Sequence, residues 1–220
     1  MPGTLCAFPA FFDMTIISPM QLVWRLAAAV ALVCVAIEPL SAETFAERIA
    51  PCLACHGEKG QSETEKVPSL GGQTAPYVLI QLFMFREKQR HSQIKKDDQM
   101  IEVMFDMTKS FSDDDLRTFS DFISKLPPPK PVEDAVDASR IERAKVLMQQ
   151  HRCNFCHDAS LAGRETVPRI AAQREDFLIK TMHDYKTNYR HGYEATMADV
   201  VRPLSDDDIV NLAHYIARYR

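Results

Sequence analysis

The sequence contains Cys52-Leu53-Ala54-Cys55-His56 and, 101 residues further on, Cys153-Asn154-Phe155-Cys156-His157. Two cysteines separated by two residues and followed at once by a histidine form the attachment pattern of c-type haem. On a helix, positions i, i+3 and i+4 share one face. Both thiols of a copy can therefore bond to the vinyl groups of one haem while the histidine binds its iron. Because the pattern occurs twice, the sequence predicts two covalently bound haem c groups.

Other uses of these cysteines stay open at this point. Four cysteines in an exported protein could form two disulfides or redox dithiols, and a structural zinc site would combine both pairs. A thioredoxin-like site needs no histidine after its second cysteine and is expected directly behind a strand. The histidine in both copies favours haem. The residues predicted to hold haem are Cys52, Cys55 and His56 in the first copy and Cys153, Cys156 and His157 in the second.

The two halves of the sequence resemble each other well beyond the motifs. Val67-Pro68 corresponds to Val167-Pro168 at an offset of 100, and residues 111–116 (FSDDDL) correspond to 204–209 (LSDDDI) at an offset of 93. The first half therefore holds about seven extra residues around 92–98, a polar stretch for which we predict a surface loop. The repeat predicts two copies of one small domain.

The division of the chain follows from a cluster of prolines at 127–131. Prolines lack amide donors and favour an extended, semi-rigid spacer. We predict a first domain at 43–126, a proline-rich linker at 127–140 and a second domain at 141–220.

Residues 1–42 are predicted to be a signal peptide. The run 26–37 is uncharged and apolar but shorter than the roughly 20 residues that span a bilayer. Arg25 precedes it, and a segment rich in small residues ends at Ala42, which is typical of a secretory leader. This predicts export to the periplasm. An uncleaved N-terminal anchor and a start at Met20 are the alternatives.

Composition and periodicity predict an all-α fold. Hydrophobic residues make up 46% of the chain and charged residues 25%, which excludes a disordered protein and a multi-pass membrane protein. The net charge of −4, with acids and bases interspersed, argues against nucleic acid as a partner. Apolar residues recur at helical spacing in 76–87 and 177–185, and Ser112 and Ser205 are suited to cap further helices. Domains of this size are small for a self-sufficient core, so a covalently held haem would complete each interior.

The repeat also selects the second iron ligand. Met104 and Met197 each lie seven residues before the repeated Ser-Asp segment, and no other methionine after residue 42 has a methionine in the equivalent place. Methionine is a common axial ligand in cytochromes c and raises the reduction potential. The alternatives are that these methionines only fill the core, or that the duplicated His91 and His191 bind the irons.

A turn in each half is predicted to support the motif histidine. The Val-Pro segments could present the carbonyl that receives the second ring N–H of that histidine, with a plain turn proline as the alternative. Gly71-Gly72 in the first half is replaced by Ala171-Ala172 in the second. We therefore expect that a positive φ is not required there in both halves.

The chain resembles the dihaem cytochromes c of the cytochrome c4 type, from Phe45 to Tyr219. The resemblance rests on the motif at 52–57, on 68–73, on Met104 and on 111–116, followed by a looser second copy in which Asp158 replaces the glycine after the histidine. It implies two tandem class I cytochrome c domains, each wrapped around a covalently bound haem. It also implies one histidine and one methionine on each iron: His56 with Met104, and His157 with Met197.

The expected function is single-electron transfer between respiratory-chain partners in the periplasm, without enzymatic activity. The resemblance implies a donor such as a quinol-oxidising complex or a dehydrogenase and an acceptor such as a terminal oxidase. Any loose membrane association would come through these partners. The alternatives are the cytochrome subunit of a periplasmic dehydrogenase and a dihaem peroxidase, which would need one vacant iron position.

Overall fold

The computed structural model describes residues 43–96, 99–191, 193 and 195–220. Within them the chain forms nine helices and one two-stranded antiparallel hairpin. The elements are α1 (Phe45–His56), α2 (Ala75–Arg86), β1 (Gln93–Lys96), β2 (Gln99–Glu102), α3 (Val103–Thr108), α4 (Asp113–Ser124), α5 (Ala138–Gln150), α6 (Cys153–His157), α7 (Glu175–Lys186), α8 (Thr196–Val201) and α9 (Asp206–Ala217). The predicted all-α class is confirmed apart from the hairpin. The predicted signal peptide lies outside the described residues.

Side-chain caps define where the main helices begin. Thr44, Ser112 and Ser205 each accept a hydrogen bond from the backbone N–H three residues ahead, and the acidic residue at that position accepts one from the cap's own N–H. Such capping boxes satisfy backbone donors that a helix start leaves without partners. The two predicted serine caps are therefore confirmed.

The two halves follow the same order of helices with one local difference. In the first half α1 runs without a break into its motif, with Pro51 inside the helix. In the second half α5 ends before Arg152, which has a φ of 55°, and a separate short helix, α6, carries the motif. The left-handed residue turns the chain between the two helices.

The extra segment of the first half is a β-hairpin rather than the predicted loop. β1 pairs antiparallel with β2, with Gln93 opposite Glu102. The Glu102 carboxylate accepts from the Ser92 N–H at 2.9 Å and lies 2.9 Å from His91 Nδ1. These contacts close the base of the hairpin. Polar strands this short lack the apolar alternation by which a half-buried strand is recognised, so the prediction was wrong here.

Each half has its own apolar core. In the first, Phe119 is 1% exposed and stacks on Phe111 with ring centroids 4.6 Å apart. Cys52 and Met104 pack at the edge of this cluster. In the second, Cys153 and Met197 pack in the same way at the edge of their own cluster. The buried members of the two cores are Ile49, Val78, Leu82, Leu116, Phe119 and Ile123 in the first half and Ala144, Leu147, Met148, Leu161, Ala171, Leu178, Met182, Val201, Leu204, Ile209, Leu212, Ala213, Ile216 and Ala217 in the second.

The segment between the halves is extended and contacts both of them. Residues 127–137 contain no helix or strand. The Lys130 N–H donates to the Gln61 side chain of the first half at 3.2 Å, and the Val132 N–H donates to Ala217 O of the second at 3.0 Å. α5 begins at Ala138, inside the predicted linker. The predicted domain boundaries stay a prediction.

The turn that follows each Val-Pro segment has the same backbone conformation in both halves. The Gln73 N–H donates to Leu70 O, and the Gln173 N–H donates to Ile170 O, as in β-turns. The third residue has a positive φ in both turns, 70° at Gly72 and 57° at Ala172. Our expectation from the alanine pair was therefore wrong. A positive φ at the third position alone of the two central residues is the pattern of a type II turn, and Ala172 adopts it despite its Cβ.

Candidate haem sites

The first motif occupies the last turn of α1. His56 is buried, Cys52 is half-buried and Cys55 is exposed. Neither cysteine is in a disulfide. Burial raises the pKa of the Cys52 thiol. Since a redox-active dithiol needs a lowered pKa, this environment argues against a thioredoxin-like role.

The second motif forms the whole of α6 and repeats this arrangement. His157 is buried, Cys153 is half-buried and Cys156 is exposed. Burial raises the pKa of the Cys153 thiol to about 11. In the part of the chain that the structure describes, no three histidine, cysteine or acidic side chains gather into a group that could hold a metal ion. The pooled zinc site considered above is therefore not formed by these residues.

A backbone carbonyl fixes the tautomer of each motif histidine. His56 Nδ1 lies 2.8 Å from Pro68 O, and His157 Nδ1 lies 2.9 Å from Pro168 O. A carbonyl can only accept, so Nδ1 carries the proton and Nε2 keeps its lone pair. This confirms the predicted role of the Val-Pro turns. Burial lowers the pKa of both imidazoles, which favours the neutral form that binds a metal.

The predicted methionine ligands lie on corresponding short helices. Met104 is on α3 and Met197 is on α8, and both are half-buried. Met104 packs against the same apolar core as Cys52, and Met197 packs against the same apolar core as Cys153. The Met104 N–H donates to Ser92 Oγ at 2.8 Å, which anchors the start of α3 to the base of the hairpin. The positions suit the prediction, and the assignment of the axial pairs stays a prediction.

The rival histidines have different surroundings from the methionines. His91 Nδ1 contacts the Glu102 carboxylate, and the ring lies 5.8 Å from that of Tyr189. His191 is exposed, with its Nδ1 3.4 Å from Asn188 O. These surroundings favour the methionines.

Two arginines at matched positions of the repeat meet at Gln81. A guanidinium N–H of Arg90 and one of Arg190 both donate to the Gln81 side-chain oxygen. Each guanidinium also lies over an aromatic ring of its own half, 4.5 Å from the centroid of Phe85 and 4.7 Å from that of Tyr185. Burial and the neighbouring charge of Arg190 lower the pKa of Arg90 to about 10. The pair is a cationic environment suited to carboxylates, and haem brings two propionates.

The residues present fit a haem in each half. Each half offers two thiols spaced three residues apart on a helix, an imidazole with a free Nε2 and a nearby methionine. Sequence reasoning did not assign a role to Arg90, Arg190, Gln73 or Gln173. All four lie at matched positions of the repeat, which was the signal that could have found them.

Comparison with known proteins shows similarity to cytochromes c. The sequence model of the family described as Cytochrome c matches residues 43–127. Cytochrome c4 of Azotobacter vinelandii is 26% identical over 180 residues, which cover 77% of this chain and 84% of the relative. Residues 43–127 therefore match a cytochrome c domain, and the chain is similar to the cytochromes c4 over most of its length.

Solved structures show the same fold. Reduced recombinant cytochrome c4 from Pseudomonas stutzeri has a TM-score of 0.67 at 23% identity, covering 79% of this chain and 95% of that one. A thiosulfate dehydrogenase from Marichromatium purpuratum has a TM-score of 0.62 at 23% identity, covering 76% of this chain but 36% of that one. The cytochrome c domain and the similarity to the cytochromes c4 support a dihaem cytochrome of electron transfer with two covalently bound haem c groups.

Proposed function

We propose that this chain is a periplasmic electron carrier in which one histidine and one methionine hold each iron. The observation that carries the proposal is the matched donor set of the two halves. In each, two thiols and a neutral imidazole lie on one short stretch of helix, and the imidazole proton is held on Nδ1 by a proline carbonyl. The repetition of this detail, including the tautomer, supports the same chemistry twice.

Each proposed ligand has a definite task. Haem supplies one-electron exchange between ferric and ferrous iron. Cys52 and Cys55 would hold the first group by thioether bonds, and Cys153 and Cys156 would hold the second. His56 and His157 would bind the irons through Nε2. Met104 and Met197 would each supply a second ligand, a thioether that raises the reduction potential.

The arginine pair supports the placement of two acidic groups between the halves. Arg90 and Arg190 come from corresponding positions and converge on Gln81. Haem propionates near these guanidinium groups would form charge-assisted hydrogen bonds and offset the repulsion between the two cations.

Electron transfer without catalysis follows from the proposed coordination. An iron bound by two side chains would have no position for a substrate, so the haem would supply electron exchange alone. This argues against the dihaem peroxidase, which needs a vacant or displaceable ligand. We propose that both partners are redox proteins. The donor is a quinol-oxidising complex or a dehydrogenase, and the acceptor is a terminal oxidase.

The proposed localisation rests on the predicted leader. The apolar run at 26–37 has the length of a leader's core. Within the described residues, no helix has the length and apolar character needed to cross a membrane. We propose export to the periplasm, with any membrane association made through the partners.

The first experiment counts haem groups on the exported protein. The intact mass after acid denaturation and solvent extraction should include two haems, and the double variant Cys52→Ala/Cys55→Ala should retain one. Extraction of the pigment into the organic phase would overturn the proposal.

A second experiment tests the methionine ligands. Replacing either Met104 or Met197 by leucine should remove part of the methionine–iron charge-transfer band of the ferric protein. A band that survives the double replacement would refute the axial assignment.

A second candidate is the cytochrome subunit of a dehydrogenase. It is kept because a thiosulfate dehydrogenase contains a region of this fold within a longer chain. Tagged protein purified from its native host decides between the two. A catalytic chain that stays bound at constant stoichiometry through size exclusion favours the subunit, and a free dihaem protein favours the mobile carrier.

A further inference from the structure

The peptide group that holds the proximal histidine of the first half also bonds to the second half. Pro68 O accepts from His56 Nδ1 at 2.8 Å. The N–H of Ser69, which belongs to the same peptide group, donates to Gln173 Oε1 at 2.8 Å. Gln173 Nε2 donates back to Ser69 O at 2.9 Å. One peptide group therefore joins the histidine of one half to a glutamine of the other.

The second half repeats this arrangement in the opposite direction. Pro168 O lies 2.9 Å from His157 Nδ1, and the N–H of Arg169, in the same peptide group, donates to Gln73 Oε1 at 3.0 Å. Gln73 Nε2 donates to Arg169 O at 2.8 Å. Each glutamine thus pairs with the residue that follows the proline of the opposite half. The two networks are related by an approximate two-fold exchange of the halves.

Burial makes these contacts persistent and electrostatically strong. Gln73 is 6% exposed, Gln173 is 4% exposed and Ser69 is 2% exposed. The left-handed residue before each glutamine, Gly72 or Ala172, sets the turn from which the amide side chain extends. Hydrogen bonds in a poorly solvated site polarise one another, by about 10–30% per bond in condensed-phase estimates.

We propose that Gln73 and Gln173 are positioning residues that tune the haem of the opposite half. The proposal rests on the proposed function, in which His56 and His157 bind the irons. An amide that donates its N–H becomes a stronger acceptor at its carbonyl oxygen. A stronger bond from Nδ1–H makes the imidazole a more basic ligand, which stabilises ferric over ferrous iron. Gln173 therefore lowers the potential of the haem held by His56, and Gln73 lowers that of the haem held by His157.

The crossed pattern provides the test. In the reduced holoprotein, the Nδ1–H proton of each motif histidine is assigned by NMR. The potential of each haem is then obtained from the signal of its own histidine proton during stepwise oxidation. Gln173→Leu should move the His56 proton upfield and raise the potential of that haem, leaving His157 unchanged. Gln73→Leu should do the reverse. Gln150→Leu, at an exposed position of α5, should change neither.

A second variant separates polarisation from loss of packing. Gln173→Glu keeps an acceptor for the Ser69 N–H and makes it stronger, so the His56 proton should stay at its position or move downfield. Circular dichroism confirms that each variant is folded. The proposal is overturned if a leucine variant changes the proton resonance and potential of the haem in its own half. It is also overturned if the variant changes those of both haems equally, or of neither.

The two proposals fail in different ways. If the histidine protons of the wild-type protein show no iron-induced shift between the oxidised and reduced states, the proposed ligands are wrong. If they show that shift but do not respond to the opposite glutamine, only the crossed tuning is wrong.

Discussion

Replacing Gly57 with alanine should strongly destabilise the first half, because the chain leaves the motif there in a conformation that strongly favours glycine. Gly57 has a φ of 85° and a ψ of 141°. A residue with a side chain held in such a region is strained by about 1–3 kcal/mol. An added Cβ would also lie 2.0 Å from Gln61 O, so the backbone must shift. Overpacking of this kind costs about 1–3 kcal/mol. The sum predicts a loss of about 2–6 kcal/mol in the free energy of unfolding.

The second half supplies the matched control at the equivalent position. Asp158 has a φ of 74° and a ψ of 160°, so it already carries this strain. Its carboxylate compensates by accepting from Ser160 N at 2.7 Å and Ser160 Oγ at 2.9 Å. Asp158→Gly relieves this backbone strain and loses the two hydrogen bonds, and these effects oppose each other. The unfolding midpoint should therefore change much less than in Gly57→Ala.

The assay is guanidinium unfolding of the holoprotein, followed by far-ultraviolet circular dichroism and by haem absorbance. Midpoints are compared directly, because a haem protein with two domains need not unfold in one step. Gly57→Ala should lower the midpoint well below that of the wild type, and Asp158→Gly should leave it nearly unchanged. The reasoning is refuted if Gly57→Ala unfolds within the error of the wild type, or if the two variants lose equal stability.

Three further predictions concern the helix caps and the haem environment. Asp115→Asn should reduce stability by about 1 kcal/mol at neutral pH, since the Ser112 amide, and less so Arg48, lower the pKa of Asp115. This contribution is present above the unfolded pKa of about 3.9 and disappears as pH falls through the lower folded pKa. Urea titrations of the wild type and the variant should therefore differ at neutral pH and converge in acid. Met104→Leu should lower the potential of one haem only, measured by spectroelectrochemistry, and two shifted potentials would contradict the pairing. Arg190→Gln should lower at least one potential, because loss of a cation beside the propionates stabilises the ferric state, and unchanged potentials would contradict that placement.

The sequence was sufficient for features set by local chemistry. Ser112 and Ser205 begin helices because a side-chain oxygen at that position satisfies backbone donors of the first turn. Pro68 and Pro168 present their carbonyls to the motif histidines, as their place after the motif in both halves suggested. In these cases the same feature occurs at matched positions of both halves, so each half supports the prediction made for the other.

The features that could not be predicted depend on contacts between distant residues or on strain that the fold tolerates. Ala172 adopts a positive φ in a turn of the same form as that of Gly72, which its residue type does not reveal. The hairpin at 93–102 is closed at its base by contacts of Glu102 with His91 and Ser92, which lie ten or more positions away in the sequence. Its four-residue strands are too short to show the alternation that a sequence prediction needs.

The crossed glutamine contacts illustrate how a repeat produces an interface as well as two domains. When two copies of one surface pack about an approximate two-fold axis, a residue that contacts a given position of the other copy is contacted in return by its counterpart. The pairing of Gln73 with Arg169 therefore requires that of Gln173 with Ser69. Because these contacts are made to backbone groups, they persist although serine and arginine differ. The side chains at the two positions were free to diverge while the connection between each glutamine and the opposite histidine was kept.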